Sequence, residues 1–168
     1  MEILIRKMQE TDIVQFPKEF ALQGWNKPAE QFRVYYDEQS RGERQVFVAT
    51  ADGKIAGYAT LLPHDGSGPF KDTDIPVIVD FNVLIKYQKR GIGTAILDYI
   101  ENLVSGYSAF ICLGVGLHHG YGAAQRMYVK RGYVPDGSGV WFNGERLEPY
   151  KPCVNDDTLI LYFLKQMR

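Results

Sequence analysis

Between Val77 and Val104 the hydrophobic period of the chain changes from two to ~3.6 across a single glycine turn. Val77, Val79, Phe81, Val83 and Ile85 fall on one face of a predicted strand; Ile78, Asp80, Asn82 and Leu84 fall on the other. Lys86 to Arg90 make a tight basic connection, and a helix is predicted from Gly91. Its apolar positions Ile92, Ala95, Ile96, Tyr99, Ile100, Leu103 and Val104 follow helical spacing, and Gly106 ends it. A long strand feeding directly into an amphipathic helix is half of a crossover unit, which needs a sheet on one side and a helical layer on the other.

The flanks read as further pieces of the same sheet. Ile3 to Ile5 is a short strand, Thr11-Asp12 a helix start, and Pro17 a limit to that helix or the start of a second piece. Pro28 opens another helix with Phe32, Tyr35 and Tyr36 on one face. Gln45 to Thr50 and Ile55 to Leu62 flank the turn Asp52-Gly53, a strong hairpin signal. Further strands are predicted at Ala109 to Leu113, Tyr133-Val134, Val140 to Phe142 and Leu159 to Leu164, with a short helix from Ala123 to Arg131. The fold class is α/β: a mixed central sheet flanked by about four helices. With 168 residues and no repeat or linker, a single domain over 1–168 is expected.

Composition narrows the partners. A formal net charge of -1 gives no global field for nucleic acid or an acidic membrane, so any anion site must be local. The charged first twelve residues carry no secretory signal pattern, and no apolar run approaches a membrane span. Cys112 and Cys153 form no disulfide framework, and no His, Cys or Asp cluster has metal-ligand spacing. The expectation is a reduced, cytoplasmic protein without metal.

Gln88-Lys89-Arg90-Gly91-Ile92-Gly93-Thr94 stands where strand becomes helix. Unpaired amides and the positive end of the helix dipole suit phosphate oxygens there, and glycine lets a ligand approach the backbone. A glycine turn that binds nothing would read the same. The P-loop pattern fails, since Thr94-Ala95 follow Gly93 where Lys and Ser/Thr are needed, and the dinucleotide pattern fails at Ile96.

The turn, with Val83 closing the strand five residues before Gln88, resembles the cofactor motif Gln/Arg-x-x-Gly-x-Gly/Ala of the GNAT N-acetyltransferases. Tyr121-Gly-Ala-Ala124-Gln-Arg-Met-Tyr128-Val-Lys130-Arg-Gly132-Tyr133 resembles that family's later motif, except that Tyr121 stands where many members have asparagine. The resemblance implies the GNAT fold and acetyl-CoA as cosubstrate. It places the diphosphate on Gln88, Lys89, Arg90, Gly91, Ile92, Gly93 and Thr94, and the pantetheine arm along Asn82, Val83, Leu84 and Ile85. Direct attack in a ternary complex is the implied route, with Tyr128 as acid to the leaving thiolate.

Asp80, on the polar side of the central strand, is the candidate base, with a structural or substrate-binding charge as the other reading; His118 and His119 are candidate proton relays. The implied acceptor region draws on the first two helices and the last loop: Phe20, Gln23, Trp25, Tyr35, Trp141, Tyr150, Asp156 and Asp157. Trp25, Tyr35 and Asp80 are the principal substrate-binding candidates. Aromatic walls with a few acids suit a small cationic amine. The alternatives are a protein or peptide N-acetyltransferase, or a non-catalytic acyl-CoA-binding module. A homodimer through Gly137 to Phe142 is also expected of similar proteins.

Overall fold

Asp52 and Gly53 both take positive φ (48° and 78°), the conformation a two-residue hairpin turn requires, and they close β2 (Gln45–Ala51) onto β3 (Lys54–Leu62). β1 (Ile3–Lys7) adds antiparallel to β2. The computed structural model describes Met1–Met167. Along the chain follow α1 (Asp12–Leu22), α2 (Ala29–Ser40), β4 (Val77–Val83), α3 (Ile92–Ser105), β5 (Phe110–Gly116), α4 (Gly122–Lys130), β6 (Val134–Phe142), β7 (Glu145–Arg146) and β8 (Leu159–Gln166). Strand order in the eight-stranded mixed sheet is β1-β2-β3-β4-β5-β8-β6-β7. The expected α/β class and the four helices are observed.

Two compact units can be distinguished. Met1–Leu62 with Val79–Leu103 makes the first, and Pro63–Ile78 with the chain from Val104 onward makes the second. In the first, Ile13, Phe16 and Phe20 line one face of α1 at helical spacing. They meet Phe32, Val46, Val48, Ile55, Tyr58 and Leu84 in one apolar cluster. Phe16 stacks on Phe32 with centroids 5.1 Å apart and meets the edge of Tyr58 at 5.0 Å. Pro17 lies inside α1 without ending it. A proline there costs ~3 kcal/mol, and burying its neighbours Phe16 and Phe20 returns about 1.5–3 kcal/mol each, so packing outweighs the lost amide.

The start of α1 is held by a device other than the expected threonine cap. Thr11 makes no capping hydrogen bond. Instead the fully buried Asp12 accepts from the Gln9 amide at 2.8 Å and from both Arg6 terminal nitrogens at 2.7 and 2.8 Å.

β4 is shorter than its pattern suggested. Asp80, in mid-strand, has φ 48°, a left-handed conformation uncommon outside glycine, asparagine and aspartate, and the simple alternation breaks there. After Val83 the chain turns into a short 3₁₀ segment, Ile85–Tyr87. Leu84 is buried and its amide still donates to Ala56 O on β3 at 2.9 Å, but the 3₁₀ turn that begins at Ile85 takes the chain off the strand. β3 approaches closely beside this point: a Cβ on Gly57 would lie 2.6 Å from Asn82 O. In α3 the buried stripe is Ile92, Ile96, Leu97 and Ile100, while Tyr99 and Leu103 sit at its exposed border.

In the second unit, β5 pairs parallel with the start of β4 (Val77↔Cys112, Ile78↔Leu113) and antiparallel with β8 along its length. The two predicted pieces at Tyr133-Val134 and Val140 to Phe142 belong to one strand, β6, whose pairing with β8 is interrupted between Pro135 and Val140. Gly137 and Gly139 take positive φ inside this irregularity. Trp141 donates to Ser138 Oγ at 2.8 Å and packs edge-on against Tyr162, so its ring is engaged within its own chain.

Candidate active site

The turn after β4 is the place where the resemblance puts the diphosphate, and its conformation is compatible with one. Lys89 (φ 59°) and Gly91 (φ 84°) alternate with residues of ordinary conformation, a pattern in which successive amides can form an anion-binding concavity. Gln88 steadies the loop by donating from Nε2 to Val83 O at 3.2 Å. Ala95 N–H is bonded to Gly91 O at 2.9 Å, and the amides of the preceding turn have no intrahelical acceptor. A Cβ at Gly91 would meet only Ile3 Cδ1, 4.0 Å away, so its glycine is required by φ and leaves the approach open. The Ile92 side chain is core, leaving only its amide for a ligand. Lys89, Arg90 and Thr94 are exposed at the turn. Lys86 is not available in the same way, because its ammonium pairs with Glu19. Residues and conformation together fit a diphosphate group.

The expected pantetheine strand is only partly retained. Leu84 N–H is bonded to Ala56 O, and Ile85 N–H to Gln23 Oε1 at 3.0 Å. These two amides cannot serve a ligand without losing their present acceptors. Asn82 and Val83 remain as the strand positions for that role.

Asp80 is the centre of a polar cluster at the irregular point of β4. Its Oδ1 accepts from Lys27 Nζ (3.0 Å) and Asn82 Nδ2 (2.7 Å). Its Oδ2 accepts from Tyr58 OH (2.6 Å), Gln31 Nε2 (2.8 Å) and Tyr35 OH (2.9 Å). Five donors thus converge on a carboxylate with about four lone-pair sites. Burial alone would push the Asp80 carboxyl up; the Lys27 charge and the bonds from Tyr58, Lys27 and Tyr35 outweigh it, and the net direction is down. Burial and the neighbouring Asp80 charge raise Tyr35 to about 12, and the same causes raise Tyr58 further. Both phenols stay protonated donors. A carboxylate so saturated and so acidic is a fixed negative charge, ill-suited to taking a proton.

Lys27 was not singled out by sequence. It sits in the irregular Trp25–Pro28 segment between α1 and α2, and its ammonium lies 5.4 Å from the Phe20 ring centroid and 5.5 Å from that of Tyr58. It also donates to Tyr58 OH at 2.9 Å. Gln31 and Tyr58 were missed as well. The spacing of Gln31 and Tyr35, four apart on α2, is the one signal that they share a face. Trp25 stacks on Phe20 at 6.0 Å with its outer face exposed.

In the second unit Tyr128 lies buried on α4, edge-on to Tyr133 at 5.7 Å. Burial, with Tyr121 nearby, raises the Tyr128 phenol above its ordinary value. Tyr121 lays its ring over Gly116, where a Cβ would come within 2.3 Å, and donates to Asp157 Oδ1 at 2.9 Å. His118 Nδ1 accepts from Gly120 N–H at 3.0 Å while Nε2 meets Asp157 Oδ1 at 2.9 Å. That pattern fixes the tautomer with the proton on Nε2 and leaves neither nitrogen open as a relay. Tyr150 is fully exposed, and Asp156 binds its own Thr158. A cavity of about 460 Å³ in this unit is bordered by Val115, Leu161 and Phe163, with Arg126 and Lys130 at its edge.

The family model for the acetyltransferase (GNAT) family matches residues 6–133. The chain belongs to the GNAT acetyltransferase family. Solved structures of this family share its fold along essentially the whole length. A GNAT-family protein from Desulfovibrio desulfuricans aligns with a TM-score of 0.73 at 17% identity, covering 99% of this chain and 100% of the other. A GNAT acetyltransferase from Streptococcus pneumoniae gives 0.70 at 17% identity over 99% and 100%. The ribosomal-protein-S18-alanine N-acetyltransferase of Escherichia coli gives 0.70 at 17% identity over 99% and 94%. No curated protein matches the sequence. Among the described residues of this GNAT chain no helix is long and apolar enough to cross a membrane, and no group of three metal-ligating side chains occurs.

Proposed function

We propose that this GNAT protein transfers the acetyl group of acetyl-CoA to a primary amine of a small molecule, by direct attack within a ternary complex. The observation that carries the reading is the Asp80 cluster: a carboxylate with its pKa held below the ordinary value, set beside Phe20 and Tyr58, that holds a primary ammonium in the chain as it stands. When bound, acetyl-CoA supplies an activated acyl carbon and a thiolate leaving group. The amides from Lys89 to Thr94 hold its diphosphate, Lys89 and Arg90 add charge, and Asn82 and Val83 guide the arm. Tyr128 keeps the role of acid; its burial ensures that the phenol is protonated at neutral pH. Asp80 orients charge and does not act as base. The proton lost by the attacking amine therefore leaves to water, and kcat/KM should climb with pH toward the acceptor's own pKa.

The test is release of free CoA over a panel of small amines and short peptides. Turnover of small amines supports the proposal. Turnover of peptides alone would move the substrate to the class named for the Escherichia coli relative, and binding of acetyl-CoA without any turnover would make the chain an acyl-CoA-binding module.

A further inference from the structure

The cage around Lys27 binds an ammonium, but in the wrong protonation state for acetylation. Asp80, the Tyr58 hydroxyl oxygen and the Phe20 ring stabilise –NH3⁺, and a nitrogen needs a free lone pair to attack a thioester. A substrate nitrogen held there would be trapped as the cation. The cage is therefore suited to a nitrogen that does not react.

Building on the acetyltransferase reading, we infer that the Phe20–Tyr58–Asp80 cage is the subsite for a second, non-reacting ammonium of a diamine-type acceptor, and that Lys27 is its internal occupant in the free protein. The exchange is isoelectric. Removing Lys27 alone would strand Asp80, whose surroundings are four-fifths buried (21% side-chain exposure, against 18% for Lys27), and stranding one partner of such a pair is strongly unfavourable. A second ammonium arriving in its place restores the ion pair, the hydrogen bond to the Tyr58 oxygen and the contact with the Phe20 ring. A neutral or anionic group restores neither.

The position of Lys27 permits the exchange. It is carried by an irregular segment rather than a helix or strand, beginning just after Gly24 (φ 78°), around which a Cβ would meet nothing within 4 Å. Asp80, by contrast, is fixed from four other directions by Tyr58, Gln31, Tyr35 and Asn82. The cation is replaceable and the anion is not. An internal occupant also acts as a tethered competitor at high effective concentration, which weakens apparent acceptor affinity and screens out monoamines that gain nothing from displacing it.

Two measurements test this, one independent of catalysis. In calorimetry with butylammonium as probe, Lys27→Met should bind at least tenfold tighter than wild type, and Lys27→Met/Asp80→Asn should not bind. In turnover, wild type should prefer 1,4-diaminobutane over butylamine at least tenfold in kcat/KM, and the double variant should lose that preference. Equal affinity of butylammonium for Lys27→Met and the double variant would overturn the inference, as would equal wild-type kcat/KM for the two amines. The double variant leaves no unpaired charge, so it decides the matter through the turnover comparison even if Lys27→Met alone fails to fold. Binding of butylammonium to Lys27→Met with no turnover of any amine would uphold the subsite and instead remove the acetyltransferase reading.

Discussion

Replacing Asp80 by asparagine keeps the side chain's shape and removes the charge that five donors share. However the amide is turned, its NH2 group faces donors: Lys27 and Asn82 on one side, or Tyr58, Gln31 and Tyr35 on the other. Lys27 loses its counterion while mostly buried. Removing one partner of a buried pair costs ~3–5 kcal/mol; with about a fifth of each side chain exposed, ~2–4 kcal/mol is appropriate. For a chain of 168 residues that is a fall of ~4–16 °C in Tm at pH 7. The pH dependence carries the sharper test. The folded-state pKa of Asp80 lies below the ordinary carboxylate value of ~3.9, so its stabilisation is complete above that value and is lost as pH falls through the folded one. The gap between wild type and Asp80→Asn should therefore be widest near neutrality and narrow below about pH 4. Other depressed carboxylates such as Asp157 titrate in both proteins and cancel. Urea denaturation of both proteins at pH 7 and pH 3 measures it. A gap of equal size at the two pH values, or none at pH 7, would show that the carboxylate is not the ionised hub described above.

Tyr128→Phe should lower kcat by ~10²–10⁴ while leaving acetyl-CoA affinity within about twofold, measured by CoA release and calorimetry; unchanged turnover would remove the phenol from the chemistry. Gly91→Ala has space for its methyl group but must hold φ 84°, so it should cost about 1–2 kcal/mol of stability in thermal unfolding. The same methyl group would stand beside the turn amides, so acetyl-CoA affinity should fall in calorimetry as well. Asp12→Asn removes a fully buried charge from Arg6 and a cap from Gln9, for an expected loss of ~3–5 kcal/mol in urea denaturation with no effect on acetyl-CoA KM.

What could be read from the sequence was what depends on neighbours along the chain. The Asp52-Gly53 hairpin, the β4–turn–α3 unit and the aromatic face of α2 all follow from local period and turn chemistry. A second hairpin was equally legible and was passed over: Asn143-Gly144, with φ 50° and 80°, joins β6 to β7 through the strongest of the short turn signals. The end of β4 was not legible, because Leu84 alternates correctly with Asn82. What stops the strand is the 3₁₀ turn at Ile85–Tyr87, where the Tyr87 amide closes back on Leu84 O at 2.8 Å and the Ile85 amide is taken by the distant Gln23 Oε1.

The Asp80 cluster lies beyond any local pattern for the same reason. Lys27 and Asp80 are 53 positions apart, Tyr58 and Asp80 22. What the sequence does show is one acidic residue in a strand of apolar alternation, which admits a base but leans slightly toward a structural or substrate-binding charge. The choice between them is made by the number of donors that arrive. One or two would leave lone pairs free and a carboxyl poised near its ordinary value. Five, including an ammonium, saturate it and hold it ionised at neutral pH. Saturation of this kind favours the anchor over the base: the carboxylate keeps its charge in place and already holds a cation, the Lys27 ammonium.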